Sequence, residues 1–92
     1  GKIFIDEGAE RAVKSGKSIL PAGILKTEGS YNKGDLIYVI NSKNKIIGKG
    51  LSHYNNNEIN LIKKMRSDKI QKVLGYRGKD EIIHIDDFVL EN

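Results

Sequence analysis

Lys17-Ser18-Ile19-Leu20-Pro21-Ala22-Gly23-Ile24 sets a proline and a glycine inside what otherwise reads as a buried strand. Pro cannot donate to a sheet ladder and Gly weakens a strand interior, so the segment calls for a bulge, a bend or a close backbone approach. A bent edge strand that binds nothing satisfies the same residues. The segment gains meaning from the company it keeps: Gly34-Asp35, Gly48-Lys49-Gly50-Leu51, Leu74-Gly75-Tyr76 and Glu81-Ile82-Ile83-His84.

Working outward, Ile3-Phe4-Ile5 reads as a short opening strand. Asp6 predicts an N-cap for a helix over 7–15, with Ala9, Ala12 and Val13 on one face and Gly16 as its stop. Residues 18–25 are predicted as the strand that carries the proline and glycine. A turn-rich connector over 29–35 leads into Leu36-Ile37-Tyr38-Val39-Ile40, whose β-branched and aromatic residues predict a strong strand. Asn41-Ser42-Lys43-Asn44 reads as a hairpin turn and 45–51 as the partner strand. Asn55-Asn56-Asn57 can supply an N-cap, after which Ile59, Ile62 and Met65 recur at helical spacing. Ser67 predicts the cap of a second short helix, with Ile70, Val73 and Leu74 inward and Gly75 as its stop. Residues 82–85 and 88–90 are predicted to close the chain as strand. The sum is a mainly β fold with short helices, built on a small mixed, mostly antiparallel sheet.

Ninety-two residues fit one domain spanning 1–92, with a modest core and little room for a buried enzyme site. Absence of cysteine excludes disulfides and thiolate chemistry, and fits a reducing, cytoplasmic setting. No apolar run approaches the roughly 20 residues of a membrane span, and no signal peptide is visible, so no membrane partner is expected. The opening Gly1 in place of Met reads as a piece processed or excised from something longer.

The net charge of +4 is unevenly spread. Segment 43–79 holds ten Lys and Arg against only Glu58 and Asp68, whereas the remainder holds six basic and ten acidic residues. Such asymmetry fits a polyanion-binding face, and it equally fits a solvated lysine surface, since base-reading sites usually favour Arg over Lys. Catalytic patterns are missing. Gly48-Lys49-Gly50-Leu51 falls within a predicted strand and lacks the phosphate-loop spacing. His53 and His84 have no clustered metal-ligating partners, and Asp86-Asp87 reads as a turn before the last strand.

These blocks, in this order, resemble the PUA domain, and in particular the version found at the C-terminus of bacterial glutamate 5-kinases. The match runs through Lys17 to Ile24, Gly34-Asp35, Gly48-Lys49-Gly50-Leu51-Ser52-His53-Tyr54, Glu58-Ile59, Ile70, Leu74-Gly75-Tyr76, Glu81-Ile82-Ile83-His84 and Val89-Leu90. Two blocks depart from the kinase pattern: His53-Tyr54-Asn55-Asn56 stands where Asn-Tyr-Ser-Ser is usual, and His84-Ile85-Asp86-Asp87 where His-Arg-Asp-Asn is usual. The second change removes an arginine that could contact phosphate.

The resemblance implies a pseudobarrel of mixed strands with short helices. It implies an amino-acid-kinase domain on the same chain as partner, with ATP and Mg2+ held there, no cofactor in these residues, and a parent that is homo-oligomeric. Its function would be to stabilise or tune that kinase, which phosphorylates the γ-carboxylate of glutamate in proline biosynthesis. The alternative it implies is a structured-RNA module whose groove uses Lys14, Lys17, Leu20, Pro21, Ala22 and Gly23. The acidic start of the first helix, Asp6, Glu7 and Glu10, opposes a phosphate there.

Overall fold

The computed structural model describes residues 1–91. Strand β1 (Lys2–Ile5) runs into helix α1 (Glu7–Lys14), and a single 3-10 turn at Pro21–Gly23 then leads into strand β2 (Ile24–Glu28). Strands β3 (Leu36–Ile40) and β4 (Ile46–Leu51) form a hairpin. Helices α2 (Asn56–Ile62) and α3 (Ile70–Leu74) follow, and strand β5 (Phe88–Leu90) closes the sheet. The strand order is β2-β1-β3-β4-β5. Among the described residues only the β1–β3 pair is parallel; β1–β2, β3–β4 and β4–β5 are antiparallel. The mainly β, mostly antiparallel fold expected from the residues is the one observed.

Local chemistry explains the element ends. Asp6 caps α1, its carboxylate accepting from the Ala9 N–H at 2.8 Å. Asn55 caps α2 through a reciprocal capping box with Glu58, which satisfies two otherwise orphaned donors. Gly75 ends α3 with φ 81°, a left-handed conformation that suits a residue without a Cβ.

The segment with Pro21 and Gly23 folds differently from the strand its residues predict. Residues 18–25 are not one strand. Ile19 makes a lone antiparallel bridge with Ile83, Pro21 starts the 3-10 turn, and pairing with β1 begins only at Ile24. Pro at the first position of a turn lacks only an N–H that had no partner there, so the turn wins over the strand. Ser67 is likewise no helix cap: its hydroxyl donates to the Asp80 carbonyl at 3.0 Å, and a 3-10 turn at Ser67–Lys69 precedes α3. Val73 faces outward, and Met65 lies past the end of α2. Residues 82–85 contribute the Ile83 bridge, after which Ile85–Asp87 forms a 3-10 turn, the bend expected ahead of the last strand.

One hydrophobic cluster holds the elements together. It takes Ile3 and Ile5 from β1, Ile37 and Val39 from β3, and Ile82 and Ile83 from the closing segment. Val13 of α1, Ile59 and Ile62 of α2, and Ile70 of α3 enter the same cluster, so all three helices lie on one side of the sheet. Gly48 and Gly50 of β4 face that side. A Cβ on Gly48 would sit 2.3 Å from the Phe88 ring and 2.5 Å from the Val89 carbonyl, and one on Gly50 would sit 2.6 Å from Ile83. The Gly-Lys-Gly block therefore makes room for β5 and Ile83 to cross close to β4.

Candidate functional site

A groove of about 290 Å³ opens between α1 and the Pro21–Gly23 turn. The α1 wall is made of small residues, Gly8, Ala9 and Ala12, and the facing wall of Lys17, Ser18, Leu20, Ala22 and Gly23. The two walls are tied at one end by the Asp6 N–H, which donates to the Gly23 carbonyl at 3.0 Å. Gly23 is needed for that approach, because a Cβ there would lie 2.5 Å from the Ala9 Cβ. The far wall is anchored from behind. Ile19 exchanges backbone hydrogen bonds with the closing segment, its N–H donating to the Ile83 carbonyl at 3.0 Å and its carbonyl accepting from Ile82 at 2.7 Å. Ser18 adds a third tie, its hydroxyl accepting from the Ile85 N–H at 2.9 Å.

Of the six residues singled out from the sequence, Lys17, Leu20, Ala22 and Gly23 line this groove. Pro21 is buried behind the wall, its carbonyl accepting from the Lys64 N–H at 2.7 Å. Lys14 points elsewhere. It pairs with Glu10 at 2.8 Å, in a separate depression shared with Asn41 and Lys43. There the Lys14 hydrogen bond, followed by that from Asn41, holds the Glu10 carboxyl below its ordinary value. Glu7 and Glu10 line that second depression and not the groove, so the acids expected to oppose a phosphate are displaced from it, leaving Asp6 alone. The sequence reading missed Gly8, Ala12 and Ser18; the run of small residues at 8, 9 and 12 on one helix face was the available signal.

The groove's chemistry is limited to shape and hydrogen bonding. Its lining is mostly apolar, and the Asp6 carboxylate is already engaged as a helix cap. Leu20 stands exposed at the rim beside the Lys17 charge. Such a surface can receive a flat or apolar group with an anionic neighbour, and it offers no nucleophile–base pair.

Elsewhere, His53 braces the closing segment. Its Nδ1 lies 3.1 Å from the Glu81 carbonyl and its Nε2 lies 3.7 Å from the Asp87 carboxylate. The ring stands between two acids, with the Glu81 carboxylate 3.8 Å from Nδ1 and the Asp87 carboxylate on the Nε2 side. Among the described residues, no three His, Cys, Asp or Glu side chains are disposed to hold a metal ion. The basic stretch beyond α2 borders a depression of about 450 Å³ whose wall mixes Arg77 with Asp68 and Asp80. Tyr54 is buried and donates to the Lys79 carbonyl, and burial pushes its phenol up. Tyr76 donates to Glu58, which together with partial burial pushes its phenol up to about 12. No described helix is long and apolar enough to cross a membrane.

The family model for the PUA domain matches residues 1–74. Glutamate 5-kinase of Thermoanaerobacter sp. (strain X514) is 46% identical over 91 residues, which cover 98% of this chain and 24% of that protein. Glutamate 5-kinase of Synechocystis sp. (strain PCC 6803 / Kazusa) is 44% identical over 92 residues, again covering 24% of its length. The chain thus spans about a quarter of the length of the curated relatives it matches. Among solved structures, a PUA domain protein from Aeropyrum pernix K1 superimposes with a TM-score of 0.66 at 15% identity, over 91% of this chain and 41% of that one. The archaeal box H/ACA sRNP Nop10–Cbf5 complex contains a chain that matches with a TM-score of 0.62 at 20% identity, over 99% of this chain and 23% of that one. At these identities the structural likenesses speak for the fold.

Proposed function

The chain belongs to the PUA domain family, and from that premise we propose that it is the accessory domain of a glutamate 5-kinase. The observation that carries this reading is the 46% identity maintained over 98% of the chain. In this reading the parent transfers phosphate from ATP, with Mg2+, to the γ-carboxylate of glutamate, in proline biosynthesis in the cytoplasm. The kinase domain of the same chain does the chemistry and assembles the homo-oligomer. These 92 residues supply no reacting group; they stabilise or tune the kinase through contacts between domains.

The test is an assay of the full-length parent, with and without this domain. The expected result is glutamate-dependent ADP formation by the full chain, with altered magnesium dependence or proline inhibition when residues 1–92 are removed. A parent that forms no ADP with glutamate overturns the reading.

One observation favours a second reading, binding of structured RNA. The groove between α1 and the Pro21–Gly23 turn sets a lysine and an exposed leucine beside small apolar walls. A nucleotide can dock in such a place, its base on apolar surface and its phosphate near the cation. A fluorescence titration with structured RNA tests it, using Lys17→Glu and Leu20→Glu. Both residues are exposed, whereas a bulky residue at Gly23 would collide with Ala9 and damage the fold. Binding that survives physiological salt and is lost in both variants supports RNA recognition. Binding that disappears with modest salt, whatever the variant, is nonspecific electrostatics.

A further inference from the structure

The sheet has a second face, and among the described residues it carries no helix. In an antiparallel ladder, residues directly opposite one another point to the same side. The register pairs Leu36 with Leu51, and it lines up Tyr38, Lys49 and Val89 across β3, β4 and β5. Their neighbours Ile37, Val39, Gly48 and Gly50 face the core, so these five face away from it. Beyond the bulge, Ile46 continues the same face opposite Ile40. Leu36 is 54% exposed and Val89 61%, with Tyr38, Ile46 and Leu51 each above two-fifths. Five exposed apolar side chains gathered on one face around Lys49 mark a contact surface.

From this we infer that the outward face of β3, β4 and β5 is the seat of the kinase domain in the parent chain, an inference that rests on the reading proposed above. Two observations choose that occupant. The relatives carry about three-quarters of their length outside the matched region, so a large body of protein is available in cis. The backbone also delivers it to the right place. The Gly1 carbonyl accepts from the Tyr38 N–H at 3.0 Å, so a domain joined ahead of Gly1 starts in the plane of the sheet next to β3, within reach of the outward face. The apolar rows are flanked by Lys2 and interrupted by Lys49, so the surface that covers them is apolar with acidic groups set opposite the two lysines. Contacts between domains of one chain typically bury about 600–1,500 Å², which several exposed residues on adjacent strands can supply from one side.

The test uses the full-length parent with single substitutions Leu36→Cys and Val89→Cys, and Leu61→Cys as reference. Leu61 is 56% exposed on α2, on the opposite side of the sheet. Thiol labelling rates are read peptide by peptide in mass spectra, alongside glutamate-dependent ADP formation. The expected result is labelling at 36 and 89 at least tenfold slower than at 61, independent of protein concentration. Equal rates at all three positions overturn the inference. Protection that vanishes on dilution assigns the face to a second copy and also overturns it. Absence of kinase activity in a folded parent overturns the proposed function; if 36 and 89 are nonetheless protected, the face is still a seat for the rest of the chain, but not for a kinase.

Discussion

The two faces of the central strands are almost equally apolar, yet one is the core and the other is not. Ile37 and Val39 point inward and are fully buried, while Leu36 and Tyr38, their immediate neighbours on β3, stand exposed. Hydrophobicity alone does not separate them. What separates them is the reach of the other elements: all three helices and the Ile82–Ile83 segment come to the inward face, and Gly48 and Gly50 let β5 and Ile83 press against it. The outward face received a lysine at its middle instead. Lys49, exposed between Tyr38 and Val89, puts a charge in the middle of that row, which any covering surface must match. Burial here is decided by what crosses the sheet, more than by which residues compose it.

The sharpest way to break this comparison is to fill the inward face. Gly48→Val should cost about 3 kcal/mol or leave the domain unfolded, because the new Cβ meets the Val89 carbonyl, which is backbone and cannot step aside. Urea unfolding monitored by circular dichroism checks it. Next, Ile37→Ala and Leu36→Ala should differ although adjacent: about 3 kcal/mol for the buried residue against roughly 0.5 kcal/mol for its exposed neighbour. Equal costs would mean the outward face is covered in the free domain as well.

A smaller effect is expected at the groove, on the helix side of the sheet. Asp6→Ala removes the α1 cap and should cost about 1 kcal/mol in the same unfolding measurement. Smallest is a change that touches neither face. The Tyr76 phenol binds its proton more tightly in the folded state, at about 12 against an ordinary 10.0, chiefly through the Glu58 hydrogen bond. Its contribution is therefore full below pH 10 and is lost as pH rises through 12. Tyr76→Phe should lower the melting temperature modestly at neutral pH, and the two curves should converge as pH rises toward 12.

Much of this was readable in the chain. The hairpin of β3 and β4, the Asp6 and Asn55 caps and the Gly75 stop are set by local chemistry, and they stand where the residues place them. Misreadings arose where local signals were ambiguous. Ile19 to Ile24 is apolar enough for a strand, but a proline followed by a small residue and a glycine folds as readily into a tight turn, and the bridge Ile19 does make is to Ile83, remote in sequence. Val73 has the helical spacing of a core residue, yet α3 is too short to bury more than Ile70 fully. The groove was legible in part. Leu20, Ala22 and Gly23 could be placed from the Pro/Gly segment, while the position of Lys14 depends on an ion pair with Glu10 that draws it to another side of α1.

The bridge between Ile19 and Ile83 bears on how the domain is made. One wall of the groove comes from the first quarter of the chain, but the hydrogen bonds that hold it arrive from residues synthesised most of a domain later. Contacts so distant in sequence form slowly and late in folding. While the chain emerges from the ribosome, β1, β3 and β4 can already pair, with the wall still unclasped and Gly48 and Gly50 uncovered. That interval, before Ile83 and β5 close over them, is when the nascent chain shows its core-facing surface and when a chaperone would find it.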